Sequence, residues 1–196
     1  IWRFWWRRLR RWWRWLRWRR RLGQLVTRGD RVNIQRWLRN LLATPFVTRR
    51  RFPAHVLQAI ERAITTVEAR HAGEIRFVIE TSLDLPDLWA NRSPRDRAID
   101  VFSQLRVWDT ADNNGVLIYL LMAEHDVEIV ADRGISARVS AAEWEQVCRQ
   151  MEAHFRDGRF KEGSLAGIEA VAGLLGQHFP AASGDRNEQP NRPILL

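Results

Sequence analysis

From Phe52 onward, apolar positions recur in two different rhythms, and the switching between them outlines an α/β domain. Val56, Ile60, Ala63, Ile64 and Val67 follow at three- and four-residue spacing, with Pro53 placed for a first helical turn and Gly73 for a stop, which predicts a helix. Ile75 to Thr81 is short and rich in branched residues, the grammar of a strand. Ser93, Pro94 and Asp96 make a good helix start, and Ile99, Phe102, Leu105 and Arg106 carry the pattern to Val107. After Gly115 the unbroken apolar run Val116 to Met122 predicts a strand buried on both faces, and a short turn over Ala123 to Asp126 leads into a third strand, Val127 to Ala131. Ser140 and Glu143 have capping-box spacing ahead of Trp144, Val147, Cys148, Met151 and Phe155. A last helix spans Lys161 to His178, with Leu165, Ile168, Val171 and Leu175 as its face.

This order predicts a small mixed sheet covered by helices. The connection through residues 93–107 is long enough for a right-handed crossover, so the first two strands should be parallel. The short turn after Met122 makes the third antiparallel to the second. The starts of strands one and two and the end of strand three then share a rim, which would gather Glu74, Asp109, Asp112, Asn113, Asn114, Asp132 and Arg133. Carboxylate and amide oxygens are hard ligands suited to calcium or magnesium, and Arg133 could steady a substrate phosphate beside such an ion. The competing reading is structural: Asn113-Asn114-Gly115 and Asp132-Arg133-Gly134 are turn signals in their own right, and Asp109 to Gly115 lacks the alternating acids of a calcium loop.

Upstream of the domain the pattern changes again. Ile34, Trp37, Leu38, Leu41 and Leu42 form an apolar face over residues 33–51, with Pro45 as an interruption. Arg36, Trp37, Arg39, Arg49, Arg50 and Arg51 are the expected contacts to an anionic membrane surface, the alternative being a helix packed on the acidic body. Charge supports a division here: residues 1–53 carry 17 basic side chains against 1 acidic, a net +16, and residues 54–196 carry 15 against 22, a net −7. The high isoelectric point therefore belongs to the leader.

Residues 1–22 hold ten Arg and seven Trp and are of low complexity. Such a segment suits an anionic headgroup layer, or nucleic acid through phosphate contacts and stacking. The chain starts with Ile and a fresh amphipathic segment follows Val32, so the preferred reading takes residues 1–31 as translation of a GC-rich repeat from an upstream start. Nucleic acid is then not expected as a partner, because that reading needs residues 1–22.

The length suits one well-packed domain with appendages. Cys148 is the sole cysteine, which excludes an intrachain disulfide framework and a Cys-rich zinc site, and its helical spacing makes it a small core residue. His55, His71, His125, His154 and His178 are scattered, and phosphate-loop, nucleophile-elbow and paired-His zinc motifs are absent. No run of apolar residues is long enough to cross a bilayer. Residues 181–196, rich in Asn, Pro, Arg and Gly, are expected to be disordered. The expected division is thus residues 1–31, 32–51, 52–180 and 181–196.

Gly73-Glu74-Ile75, Asn113-Asn114-Gly115-Val116-Leu117-Ile118, Glu128-Ile129-Val130 and the trailing Phe155, Gly158 and Gly163 together resemble the TPM domain family over Phe52 to Pro180. The resemblance implies a helix/sheet/helix sandwich and, by way of plant members, weak acid phosphatase activity and divalent-ion binding. Glu74, Asp112, Asn113, Asn114 and Asp132 match the family's acidic and Asn-Asn-Gly blocks. Bacterial members are tied to membranes, some beside LemA-type membrane proteins, which become a candidate partner. Longer bacterial members carry a signal peptide and a C-terminal membrane helix that this sequence does not show, so the expected location is cytoplasmic and peripheral to the inner membrane. The expected function is a membrane-associated accessory module with divalent-ion binding, a weak metal-dependent phosphatase being the alternative.

Overall fold

The strands form where the short apolar runs fall. The structure is a computed structural model that describes residues 34–181 and 187–196. Readings of residues 1–31, including the Arg/Trp leader, lie outside the described residues. In chain order the elements are α1 (Ile34–Leu42), α2 (Pro45–Arg51), α3 (Ala54–Glu68), β1 (Glu74–Glu80), α4 (Leu85–Trp89), α5 (Pro94–Gln104), β2 (Gly115–Leu121), β3 (Asp126–Ala131), α6 (Arg133–Ser136), α7 (Ala141–Arg156), α8 (Phe160–His178) and β4 (Ile194–Leu195).

The sheet order is β3-β2-β1-β4. β1 and β2 are parallel with Glu74 opposite Gly115, and β2 and β3 are antiparallel with Val116 opposite Ala131, as the connection lengths predict. Both central strands are buried along their whole length. One face packs Ile75, Phe77, Ile79, Val116, Ile118 and Leu120 against α3, α7 and α8. The other packs Val78, Leu117, Tyr119 and Leu121 against α4 and α5 through Leu88, Ala98, Val101 and Phe102. The domain is therefore an α/β sandwich of three layers.

Local start signals act as their chemistry dictates. The Ser93 side chain accepts the Asp96 amide at the head of α5, and Ser140 with Glu143 completes the capping box of α7. Asp132-Arg133-Gly134 is not a free turn: the Asp132 carboxylate accepts the Arg133 amide and opens α6.

Residues 187–196 correct the expectation of a disordered tail. Ile194 and Leu195 pair with Val78 and Ile79 as a parallel edge strand. The segment leading there is fixed by polar anchors on β1: the Glu74 carboxylate accepts the Glu188 amide at 3.0 Å and the Gln189 amide at 3.2 Å, and the Arg76 guanidinium donates to the Pro190 carbonyl. Those partners are more than a hundred residues away in sequence, which is why composition alone reads the segment as loose.

Candidate functional site

Two regions collect chemistry. The first is the rim at the start of β1 and β2. Glu74, Asn114 and Asp132 are all buried there, and the Asp132 amide donates to the Gly115 carbonyl at 2.9 Å, which closes the end of the β2–β3 pair. The strands thus converge as predicted, but their oxygens are not equally available. Glu74 is committed to the C-terminal segment, and the carboxylate of Glu188 in turn accepts the Ala111 amide at 2.9 Å, so this segment lies over the rim. Asp109 and Asp112 are exposed. Asn113 adopts φ 52° and its side-chain oxygen accepts from Arg133 at 3.3 Å. Arg133 is well exposed beside Asp132.

Two rim oxygens stand apart: among the described residues, Asn114 Oδ1 and Asp132 Oδ2 are buried without a hydrogen-bond partner. A buried oxygen in that state costs about 1–3 kcal/mol unless something satisfies it, and hard oxygens of this kind fit a divalent cation. The wider carboxylate cage expected from sequence does not form, since among the described residues no group of three or more His, Cys, Asp or Glu side chains is placed to hold a metal ion.

Glu68 was missed by sequence reasoning because it reads as an ordinary end of α3. Its Oε1 accepts the Ile75 amide at 2.9 Å at the start of β1, and its Oε2 is buried. Burial, with help from the neighbouring Glu74 charge, pushes this carboxyl up to about 8. A carboxyl whose folded value is raised stabilises the fold fully below the unfolded value of 4.5 and loses that contribution as pH rises through 8. The urea midpoint of the wild type should fall between those limits, and Glu68→Gln should flatten the slope; an unchanged slope in the variant would remove Glu68 as its source.

The second region is α1 with α2. Arg36 and Trp37, expected at a membrane, are instead docking residues on the body. Arg36 Nε pairs with Glu124 Oε1 at 2.8 Å, its Nη1 donates to Asn91 at 3.0 Å, and its Nη2 donates to the Arg92 carbonyl. Trp37 packs edge-to-face on Trp89 with ring centroids 5.2 Å apart. Asn40, one turn beyond Arg36, is buried, donating to Glu124 and accepting the Leu83 amide at 2.8 Å. Thr48 Oγ and Thr81 Oγ lie 3.0 Å apart and fix α2 in the same way.

A helix bound by its polar side must present the other side outward. Leu38, Leu41, Leu42 and Phe46 are 52%, 58%, 74% and 72% exposed, and Val47 and Trp89 are exposed as well. This inverts the usual arrangement of a surface helix, whose apolar stripe faces the core. Arg39, Arg49, Arg50 and Arg51 are exposed around that stripe, and among the described residues none of them forms an ion pair with a carboxylate.

Cys148 fits neither region as a nucleophile. It is half-buried against the core, and burial with the Glu128 and Glu152 charges pushes its thiol up to about 12.

A three-layer sandwich whose sheet begins with a Gly-Glu strand and an Asn-Asn-Gly strand defines a recognisable class of α/β domain, and the TPM domain family matches over residues 52–174. The chain belongs to the TPM domain family. The BA42 protein of the psychrophilic bacterium Bizionia argentinensis is similar in structure, with a TM-score of 0.65 and 33% sequence identity over 73% of this chain and 94% of that one. The N-terminal domain of a protein from P. gingivalis aligns with a TM-score of 0.48 and 21% identity over 62% of this chain and 76% of that one. No curated protein matches the chain. Among the described residues, no helix is long and apolar enough to cross a membrane.

Proposed function

We propose that this TPM domain protein is a peripheral module that attaches to an anionic membrane surface through the outer face of α1 and α2. The observation that carries this reading is the inverted amphipathic helix: Arg36 and Asn40 spend their polar groups on the body, while Leu38, Leu41, Leu42 and Phe46 stand in solvent. Exposed large apolar side chains ringed by arginines match the interface of an anionic bilayer, where the apolar groups enter the acyl boundary and each cation adds roughly 1 kcal/mol. Flotation of the full chain with phosphatidylcholine/phosphatidylglycerol vesicles at physiological salt tests it. Replacing Leu38, Leu42 and Phe46 together with Ser should lower the partition constant more than tenfold, since burying each side chain contributes about 1–3 kcal/mol. Thermal stability should hardly move, because these side chains are already exposed. Undiminished vesicle binding by the triple variant would sink the proposal.

A second reading is favoured by the two partnerless rim oxygens. Asn114 Oδ1 and Asp132 Oδ2 would hold a calcium or magnesium ion. Such an ion would supply a positive charge able to polarise a phosphoryl oxygen. Arg133, exposed at the edge of this rim, would orient a phosphate there. Calcium titration followed by amide resonances should shift Asn114, Gly115 and Asp132 first, and Asp132→Asn should weaken that response; shifts confined to exposed acids elsewhere would remove the rim from ion binding.

A further inference from the structure

Beside the apolar stripe, a cavity of about 700 Å³ opens between α2, the start of α3 and the turn into α8. Arg50, Arg51, His55 and Lys161 line it, with Phe160 as part of its wall and Glu162 as its one carboxylate. The guanidinium of Arg51 lies 4.6 Å from the centre of the Phe160 ring. Stacking of this kind restrains the guanidinium while its edge N–H groups remain able to bind an oxyanion. Among the described residues, none of Arg50, Arg51 and Lys161 has a carboxylate ion-pair partner. The positive potential reaches past the cavity: after burial, the charges of Arg51, Arg39 and Arg156 are what hold the His125 imidazole below its ordinary range.

We infer that this cavity receives the phosphomonoester headgroup of an anionic lipid. Three cations and a histidine around one opening suit a dianionic tetrahedral group better than a single-charge phosphodiester. Val47 is both exposed on the stripe and part of the cavity wall, so a headgroup in the cavity would leave its acyl chains on the side where Phe46 and Leu42 stand. That continuity favours a lipid over a free phosphate. The inference rests on the membrane reading above and adds a headgroup preference to it.

The test compares the full chain on phosphatidylcholine vesicles containing phosphatidic acid with its binding to vesicles containing phosphatidylglycerol, the two matched for surface potential. The leader is present in every arm, so the ratio between lipids is the readout. Wild type should bind the phosphatidic acid vesicles about tenfold more tightly, equivalent to about 1.4 kcal/mol. Arg50→Glu with Lys161→Glu should abolish the preference, bringing the ratio between the two lipids to about one while binding to both vesicles falls. Both side chains are exposed, so the melting temperature should be unchanged. A second measurement needs no variant: glycerol 3-phosphate, titrated into the isotopically labelled wild type, should shift the Gly158 and Lys161 amides.

Equal binding at matched potential overturns the headgroup preference and leaves membrane attachment standing. Binding to neither vesicle overturns both readings. Shifts at Gly158 and Lys161 with glycerol 3-phosphate, but no lipid preference, would assign the cavity to a soluble phosphate and overturn the lipid source.

Discussion

Arg97→Ala is expected to destabilise the protein by about 3 kcal/mol, the low end for stranding one partner of a buried ion pair. Glu80 ends β1 with only 9% of its side chain exposed and accepts a bidentate pair from Arg97 at 2.8 and 2.9 Å. Tyr119 of β2 donates its hydroxyl to the same carboxylate at 2.6 Å. Burial, followed by the adjacent Glu80 charge, pushes the Tyr119 phenol far above its usual range, so this hydroxyl stays a donor at any pH the fold survives. Removing Arg97 leaves the carboxylate with Tyr119 alone, in a place where a charge cannot be rehydrated. Arg97 itself is 17% exposed, which is why the low end of the range applies. Replacing Glu80 with Leu at the same time should recover about a third of the loss, because no orphaned charge remains although the Tyr119 hydroxyl loses its acceptor. Urea unfolding of the single and double variants checks both numbers; a double variant weaker than the sum of its singles would contradict the account.

Gly115→Ala should cost about 2–3 kcal/mol through overpacking, and it should also disturb the rim. A Cβ on Gly115 would sit 1.9 Å from the Val107 carbonyl oxygen and 2.9 Å from its carbon. Both are backbone atoms, so no rotamer change can relieve the clash, and the segment between residues 107 and 115 must move. That movement reaches Asn114, whose side chain is held to the Ala72 carbonyl, and Asp132, whose amide is bonded to Gly115. The expected signature is a lower urea midpoint together with amide shifts at Asn114 and Asp132. A normal midpoint would show that the loop is looser than the geometry requires.

The parts of the fold that sequence made legible are those decided within a few residues. Ser140 with Glu143, Ser93 with Asp96, and the apolar run of β2 each carry their own physical reason locally, and each element formed where expected. The rim was legible as a consequence of strand direction, though not its commitments: nothing near Glu74 announces that amides at 188 and 189 will occupy it. The orientation of α1 shows the same limit. Its apolar stripe is plain in the spacing of Leu38, Leu41 and Leu42, and the default is to turn such a stripe inward. Arg36 and Asn40, spaced one turn apart, were the only local hint of a second face. What decided the matter were partners at Glu124, Leu83 and Arg92, all distant in sequence. His125, with φ 52°, sits in the β2–β3 turn that carries Glu124 to α1, so the docking point is set by a turn rather than by a helix.

The orientation of α1 and α2 is the claim on which the functional reading stands, and hydrogen exchange on the full chain reads it directly. With anionic vesicles present, amides between residues 37 and 51 and around Trp89 should gain protection while those from Asp109 to Gly115 exchange as they do in solution. Protection gained at Asp109 to Gly115 with none at residues 37–51 would contradict the account.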